Sequence, residues 1–149
     1  MGVFEVKKLM LFVLVGLVVM SMFMSCAYAS VYKKENLIVF DREKVAGGDG
    51  ILYGLYSFTR DMPPMESPVR EVSWLTLKPG DSVGVHKHEV NEDIYIFISG
   101  IGVYTDNEGV EHEVGPGDIT LARLGTSHAI ANKGTEDLVF IGIIAGKTP

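Results

Sequence analysis

The sequence predicts an all-β fold, a sandwich or barrel of short strands, and three observations carry that prediction. Turn and loop signals recur at short intervals, and runs rich in Val, Ile, Tyr, Phe and Thr lie between them. No long window outside the N-terminal segment places apolar residues at helical spacing.

The elements follow in chain order. Residues 1–29 read MGVFEVKKLMLFVLVGLVVMSMFMSCAYA. Lys7 and Lys8 supply a positive start, residues 9–24 an apolar run, and Ala27-Tyr28-Ala29 a small-residue cleavage box. As a helix this 16-residue run reaches roughly 24 Å, short of the roughly 30 Å hydrocarbon core. The pattern predicts an apolar leader helix that serves as an export signal and is cleaved before Ser30, leaving residues 30–149 as one domain. Two alternatives stay open. If the helix stretches to Ala29 it forms an uncleaved membrane anchor, and Cys26 offers a lipidation site, although Phe23 is a poor residue three places before it. Each route takes the protein out of the cytoplasm, to a periplasmic or extracellular place.

After the leader, the turn signals are Gly47-Gly48-Asp49-Gly50, Met62-Pro63-Pro64, Lys78-Pro79-Gly80, Ser99-Gly100, Asp106-Asn107-Glu108-Gly109, Gly115-Pro116-Gly117 and Asn132-Lys133-Gly134. The strand-type runs between them are 37–40, 51–58, 72–77, 94–98, 102–105, 111–114, 118–121, 128–131 and 138–144. Short strands at this spacing suit one sandwich or barrel around one core.

Composition narrows the chemistry. The whole chain carries 13 Lys and Arg against 19 Asp and Glu, a net charge of −6. Removing Lys7, Lys8 and Glu5 with the leader takes the balance to 11 against 18, a net of −7. An acidic domain without a basic cluster does not suit phosphate backbones or anionic membrane surfaces, so no nucleic acid is expected and no membrane contact beyond the leader. Cys26 is the only cysteine. Residues 30–149 therefore hold no disulfide, no thiolate nucleophile and no sulfur ligand.

Four histidines stand at 86, 88, 112 and 128. Residues two apart on a strand share a face, so His86 and His88 project to one side and their ring nitrogens can converge on one point. Taken alone, the pair reads equally as two surface histidines in a turn. His112, among acids near a hairpin turn, reads as an exposed strand residue. His128 alone reads as a core or turn histidine.

The spacing binds these residues together. The first stretch runs Gly80, five residues, His86, one, His88, four, Asp93, six, Gly100; the second runs Gly117, five residues, Arg123, one, Gly125, two, His128, three, Asn132. This resembles the two short motifs of the cupin superfamily, over about residues 74–144. It is similar to small single-domain cupins, some of which are likened to oxalate decarboxylases. The resemblance implies a double-stranded β-helix, or jelly roll, whose wide end holds a divalent metal on three histidines and one carboxylate. His86, His88 and His128 match the ligand positions, and Asp93 stands where the family usually has Glu. Glu92 is the alternative: it has the family's chemistry, whereas Asp93 has the register, six residues back from Gly100. Arg123 replaces the proline of the second motif and reads as an exposed loop arginine. Asn132 matches a family position whose use is a loop hydrogen bond.

A donor set of imidazoles and a carboxylate without sulfur suits Mn, Fe, Ni, Co or Zn. Four protein ligands leave positions on a six-coordinate ion for water, substrate or dioxygen. Alternate members of 94–98, with Trp74 and Tyr104, are expected to form an apolar backing that excludes water. Three functions remain open: a metal-dependent decarboxylase or dioxygenase acting on a small organic acid or oxygenated compound, a non-catalytic module binding a small sugar or organic acid, and a cupin that no longer holds metal. The apolar runs 37–40 and 51–58 are expected to cross onto a partner in a homodimer.

Overall fold

The computed structural model describes residues 30–58 and 67–146. The leader expected over 1–29 and the loop signal at Met62-Pro63-Pro64 lie outside them. Among the described residues eleven strands form two antiparallel sheets. The larger has the order β1 (Ile38–Val39), β3 (Ile51–Phe58), β4 (Val69–Leu77), β11 (Leu138–Gly146), β6 (Asn91–Ser99) and β9 (Ile119–Ala122), with β2 (Arg42–Glu43) also on β3. The smaller runs β5 (Ser82–Lys87), β10 (Ser127–Ala131), β7 (Gly102–Thr105) and β8 (Glu111–Val114). The two sheets make the jelly roll that the cupin resemblance implies.

Period-two alternation places the core. In β6 the buried residues are Asn91, Asp93, Tyr95 and Phe97, while Glu92, Ile94 and Ile96 lie on the other face. A bulge at Ile98 ends this alternation, since Phe140 of β11 pairs with Phe97 and Val139 with Ser99. Beyond it Gly100 turns at φ 80°, where an added Cβ would lie 2.4 Å from the Asp137 carbonyl oxygen. Only glycine suits that turn. From the larger sheet Leu77, Phe97, Leu138 and Phe140 are almost wholly buried, and Val83, Tyr104, Val114 and Ile130 meet them from the smaller. Phe140 centres an aromatic cluster, its ring 4.7 Å from Tyr95 and 5.6 Å from Phe97. Truncating so enclosed a ring costs about 3–5 kcal/mol.

The inner face is graded from polar to apolar along its strands. In β4 the inward residues run Glu71, Ser73, Leu75, Leu77, and in β6 they run Asn91, Asp93, Tyr95, Phe97. Glu71 and Asp93 both pair with Ile144 of β11, one from each side. Apart from Asn132, the buried polar side chains thus gather at one end of the sandwich.

Several sequence expectations need correction. Trp74 belongs to the outer face of β4 and is 43% exposed, so it does not back the site. Period two decides this: Ser73 and Leu75 point in, and Trp74 must point out. From residues 94–98 the core receives Phe97 and, with its hydroxyl near the polar end, Tyr95. The runs at 72–77 and 94–98 begin earlier than expected, at Val69 and Asn91, because polar residues occupy their inward positions. β5 was absent from the apolar runs, since Gly84, His86 and Lys87 dilute its hydrophobicity. Of the run 37–40 only Ile38 and Val39 form strand, and they pair with β3 of the same chain, which itself pairs with β4.

Candidate metal centre

Three strands and one turn bring the site together. His86 lies on β5 and is paired directly opposite His128 of β10. His88 follows β5 by one residue and is pinned by its backbone: its N–H donates to the Thr126 carbonyl at 3.0 Å, and its carbonyl accepts from the Gly125 N–H at 2.6 Å. The turn ahead of β10 therefore fixes the residue that closes β5. Asp93 comes across the sandwich from β6. One ligand-type atom from each of His86, His88, Asp93 and His128 lies within 4.8 Å of every other, and all but His86 are buried.

The hydrogen bonds define which nitrogens face inward. Nδ1–H of His86 donates to the Gly84 carbonyl at 3.0 Å, and Nδ1–H of His88 donates to Asn91 Oδ1 at 2.8 Å. In the neutral rings this leaves both Nε2 atoms with bare lone pairs. They face Nε2 of His128 at 3.2 Å and 3.0 Å respectively. Asp93 Oδ2 is 3.6 Å from Nε2 of both His88 and His128. Converging lone pairs and a buried carboxylate repel one another unless a proton or a cation lies among them. Donors at right angles about one ion, each at about 2.1 Å, stand about 3.0 Å apart, so the nitrogen spacing fits a divalent metal. The donor chemistry fits as well, being nitrogen and oxygen alone.

Burial shapes the proton equilibria. The His86 imidazole is held below its usual pKa, mainly by burial; its bond to Gly84 opposes this, and the neighbouring His128 and His88 reinforce it. The Tyr95 hydroxyl is pushed well up, first by burial, then by the Asp93 charge and a hydrogen bond to it, and so stays protonated as a donor. His128 packs against the Tyr95 and Tyr104 rings at 5.2 and 5.4 Å. Its Nδ1 is buried with no hydrogen-bond partner among the described residues.

Beside the cluster lies a cavity of about 90 Å³, lined by His86, Asp93 and Tyr95 together with Arg42 and Glu71, and by apolar residues that include Leu75. Arg42 and Glu71 were missed in the sequence. Glu71 had a signal: counting by twos back from Leu77 places it inward, and a charged residue at a core position marks a site. Arg42 had none, since a two-residue strand has no readable period.

The remaining expected residues are placed apart. Glu92 faces away from the histidines and lies 3.8 Å from Arg123, whose side chain is 71% exposed. His112 is exposed and pairs with Asp106 at 2.8 Å, which holds the Asp106 carboxyl below its usual range. Asn132 is buried and structural: its Nδ2 donates to the carbonyls of Leu77 and Glu136, both at 2.8 Å, and its Oδ1 accepts from the Gly134 N–H.

This arrangement has relatives. Residues 73–144 match the family described as Cupin domain. A solved structure named as a predicted oxalate decarboxylase from Thermotoga maritima is 30% identical, with 79% of this chain covering 100% of that one at a TM-score of 0.71. The chain belongs to the cupin superfamily. An oxalate-binding protein of Thermotoga maritima is 40% identical to this cupin over 80 residues, 54% of this chain and 65% of the relative's own length. The cupin thus spans just under two thirds of that curated relative. Among more distant structures, KdgF from Halomonas sp. is 16% identical with a TM-score of 0.64 over 81% of this chain and 96% of that one. The Schizosaccharomyces pombe Cnp3 cupin domain is 13% identical with a TM-score of 0.61 over 80% of this chain and 76% of that one. At those identities the likeness is one of fold alone.

Proposed function

We propose that this cupin holds a divalent transition metal on His86, His88, Asp93 and His128 and binds a small organic acid in the cavity beside it. The observation that carries the reading is the convergence of three Nε2 atoms and one carboxylate on one point, beside a cavity of about 90 Å³ whose lining includes His86 and Asp93. The names of two relatives, one oxalate-binding and one a predicted oxalate decarboxylase, support a compact acid as ligand. Mn, Fe, Ni, Co and Zn all suit the donor set. Such an ion, when bound, polarises a carboxylate or activates a small ligand. The chain's own residues do the rest. The Gly84 and Asn91 acceptors orient the rings of His86 and His88. Tyr95 offers a proton donor at the cavity wall, and Val83, Leu52 and Leu75 exclude water. The reaction that fits is decarboxylation or dioxygenation of a small acid. A second reading, a non-catalytic binding module, is favoured by the name of the 40% identical relative.

The test is elemental analysis of the protein purified without a histidine tag, followed by incubation with oxalate. One equivalent of metal is expected, with release of carbon dioxide or uptake of oxygen. Metal-loaded protein that binds oxalate without turnover selects the binding module. Protein that takes up none of the five metals overturns the proposal.

The same reading extends to compartment and assembly. Export is supported by the charged start, apolar run and cleavage box of residues 1–29, and N-terminal sequencing that begins at Ser30 is the expected result. A homodimer is supported by the exposed apolar side chains Ile38, Val39 and Trp74 on the larger sheet and Phe40 just after β1. Light scattering that finds a monomer at micromolar concentration overturns it.

A further inference from the structure

Arg42 lies outside residues 73–144, in a two-residue strand paired to β3, yet its side chain lines the same cavity as His86 and Asp93. Among the residues lining that cavity it is the one permanent cation, facing the acids Glu71 and Asp93. Arg42 forms no ion pair among the described residues. Its Nε is buried without a hydrogen-bond partner, and its guanidinium carbon stands 5.6 Å from the centroid of the Tyr56 ring. Stacking on an aromatic face orients the planar guanidinium and leaves its N–H edge for an acceptor. A guanidinium taken partly out of water with an unmatched donor is unfavourable unless something accepts from it.

The backbone next to Arg42 is strained toward the same place. Lys44 and Ala46 adopt φ of 46° and 53°, unusual for residues other than glycine, and between them Val45 closes the cavity wall. Strain of this kind persists where surrounding structure enforces it, and it gathers at ligand clamps. Arg123 does not compete for the role, because it is exposed and sits beside Glu92.

We propose that Arg42 is the specificity residue of the cavity and receives one carboxylate of a compact dianion whose other end lies against the histidine cluster. The cavity is small, about 90 Å³, and holds one permanent cation, so the class is a compact dicarboxylate. The planar fork of Arg suits a carboxylate through two parallel hydrogen bonds and offsets the repulsion that Glu71 and Asp93 exert on an anion. This inference rests on the proposed function in taking the ligand to be a small organic acid.

The test is calorimetric titration of the full chain, of known metal content, with oxalate, malonate and the neutral diamide oxamide. Arg42→Gln is expected to weaken oxalate binding at least tenfold with metal content and Tm unchanged, while any oxamide binding stays as in the wild type. Arg42→Lys keeps the charge without the fork and is expected to weaken oxalate binding severalfold. Should Arg42→Gln lower Tm, the Lys variant decides. Variants of unchanged fold that bind oxalate as the wild type does overturn the proposal. Metal-replete wild type that binds neither oxalate nor malonate overturns it too. Metal-free wild type that binds oxalate through Arg42 leaves this inference standing and removes the proposed metal.

Discussion

Replacing Asp93 separates the two acids at the start of β6. Its Oδ2 lies 3.6 Å from two of the three converging nitrogens, in a buried setting. At an effective dielectric of about 20, a unit positive charge at that distance gains about 4.6 kcal/mol from the carboxylate. In Asp93→Ala a water can occupy the emptied place and recover much of this. The expected net loss of metal affinity is therefore at least tenfold, about 1.4 kcal/mol. Asp93→Glu retains the charge and is expected to stay within tenfold of wild type, the extra methylene being absorbed by the cavity beside it. Glu92→Ala removes an acid on the opposite face of β6 and is expected to leave affinity unchanged. Competition against a chromophoric chelator, with Tm recorded for each variant, reads all three. Loss of binding in Glu92→Ala with wild-type binding in Asp93→Ala would refute the assignment of the inward face of β6.

Replacing His86 and His88 together with Ala is expected to abolish metal binding, whereas His112→Ala, whose partner is Asp106 at the surface, is expected to leave metal content as it was. The metal-free protein should lose stability as pH falls. An unfolded histidine protonates near pH 6.5, His86 in the fold only at lower pH, so below about 6.5 the unfolded chain binds more protons and is favoured. Proton competition lowers metal affinity in the same direction. Denaturation midpoints and chelator titrations that stay flat from pH 7 to 5 would contradict both. Asn132→Ala removes three hydrogen bonds of a buried side chain and is expected to cost about 3 kcal/mol, read as a lower Tm with metal stoichiometry retained.

The histidines and Asp93 were legible as candidates because the two stretches that resemble the cupin motifs are each local in sequence. Period two puts Asp93 on one face with Tyr95 and Phe97, although the bulge at Ile98 interrupts that period before the Gly100 turn. Glu71 required the same counting in β4, but its meaning depends on meeting Asp93 across Ile144, and no local spacing encodes that meeting. Arg42 depends on a further non-local pairing, of β2 with β3. Trp74 shows the converse, where hydrophobicity suggested the interior and strand parity set the side chain outside. The bulge at Ile98 was invisible because its cause lies in the partner strand.

The position of β11 governs the order in which this protein can be made. It lies between β4 and β6, and it is later in the chain than either. Until residues 138–146 have left the ribosome, β3 with β4 and β6 with β9 are separate pieces, each with an unpaired edge open to other chains. Glu71 and Asp93 have no fixed distance between them during that interval. An ion that met the histidines early would lack its carboxylate. The carboxylate side of the site is thus expected to be completed only when β11 docks, and so non-local a closure is expected to be slow.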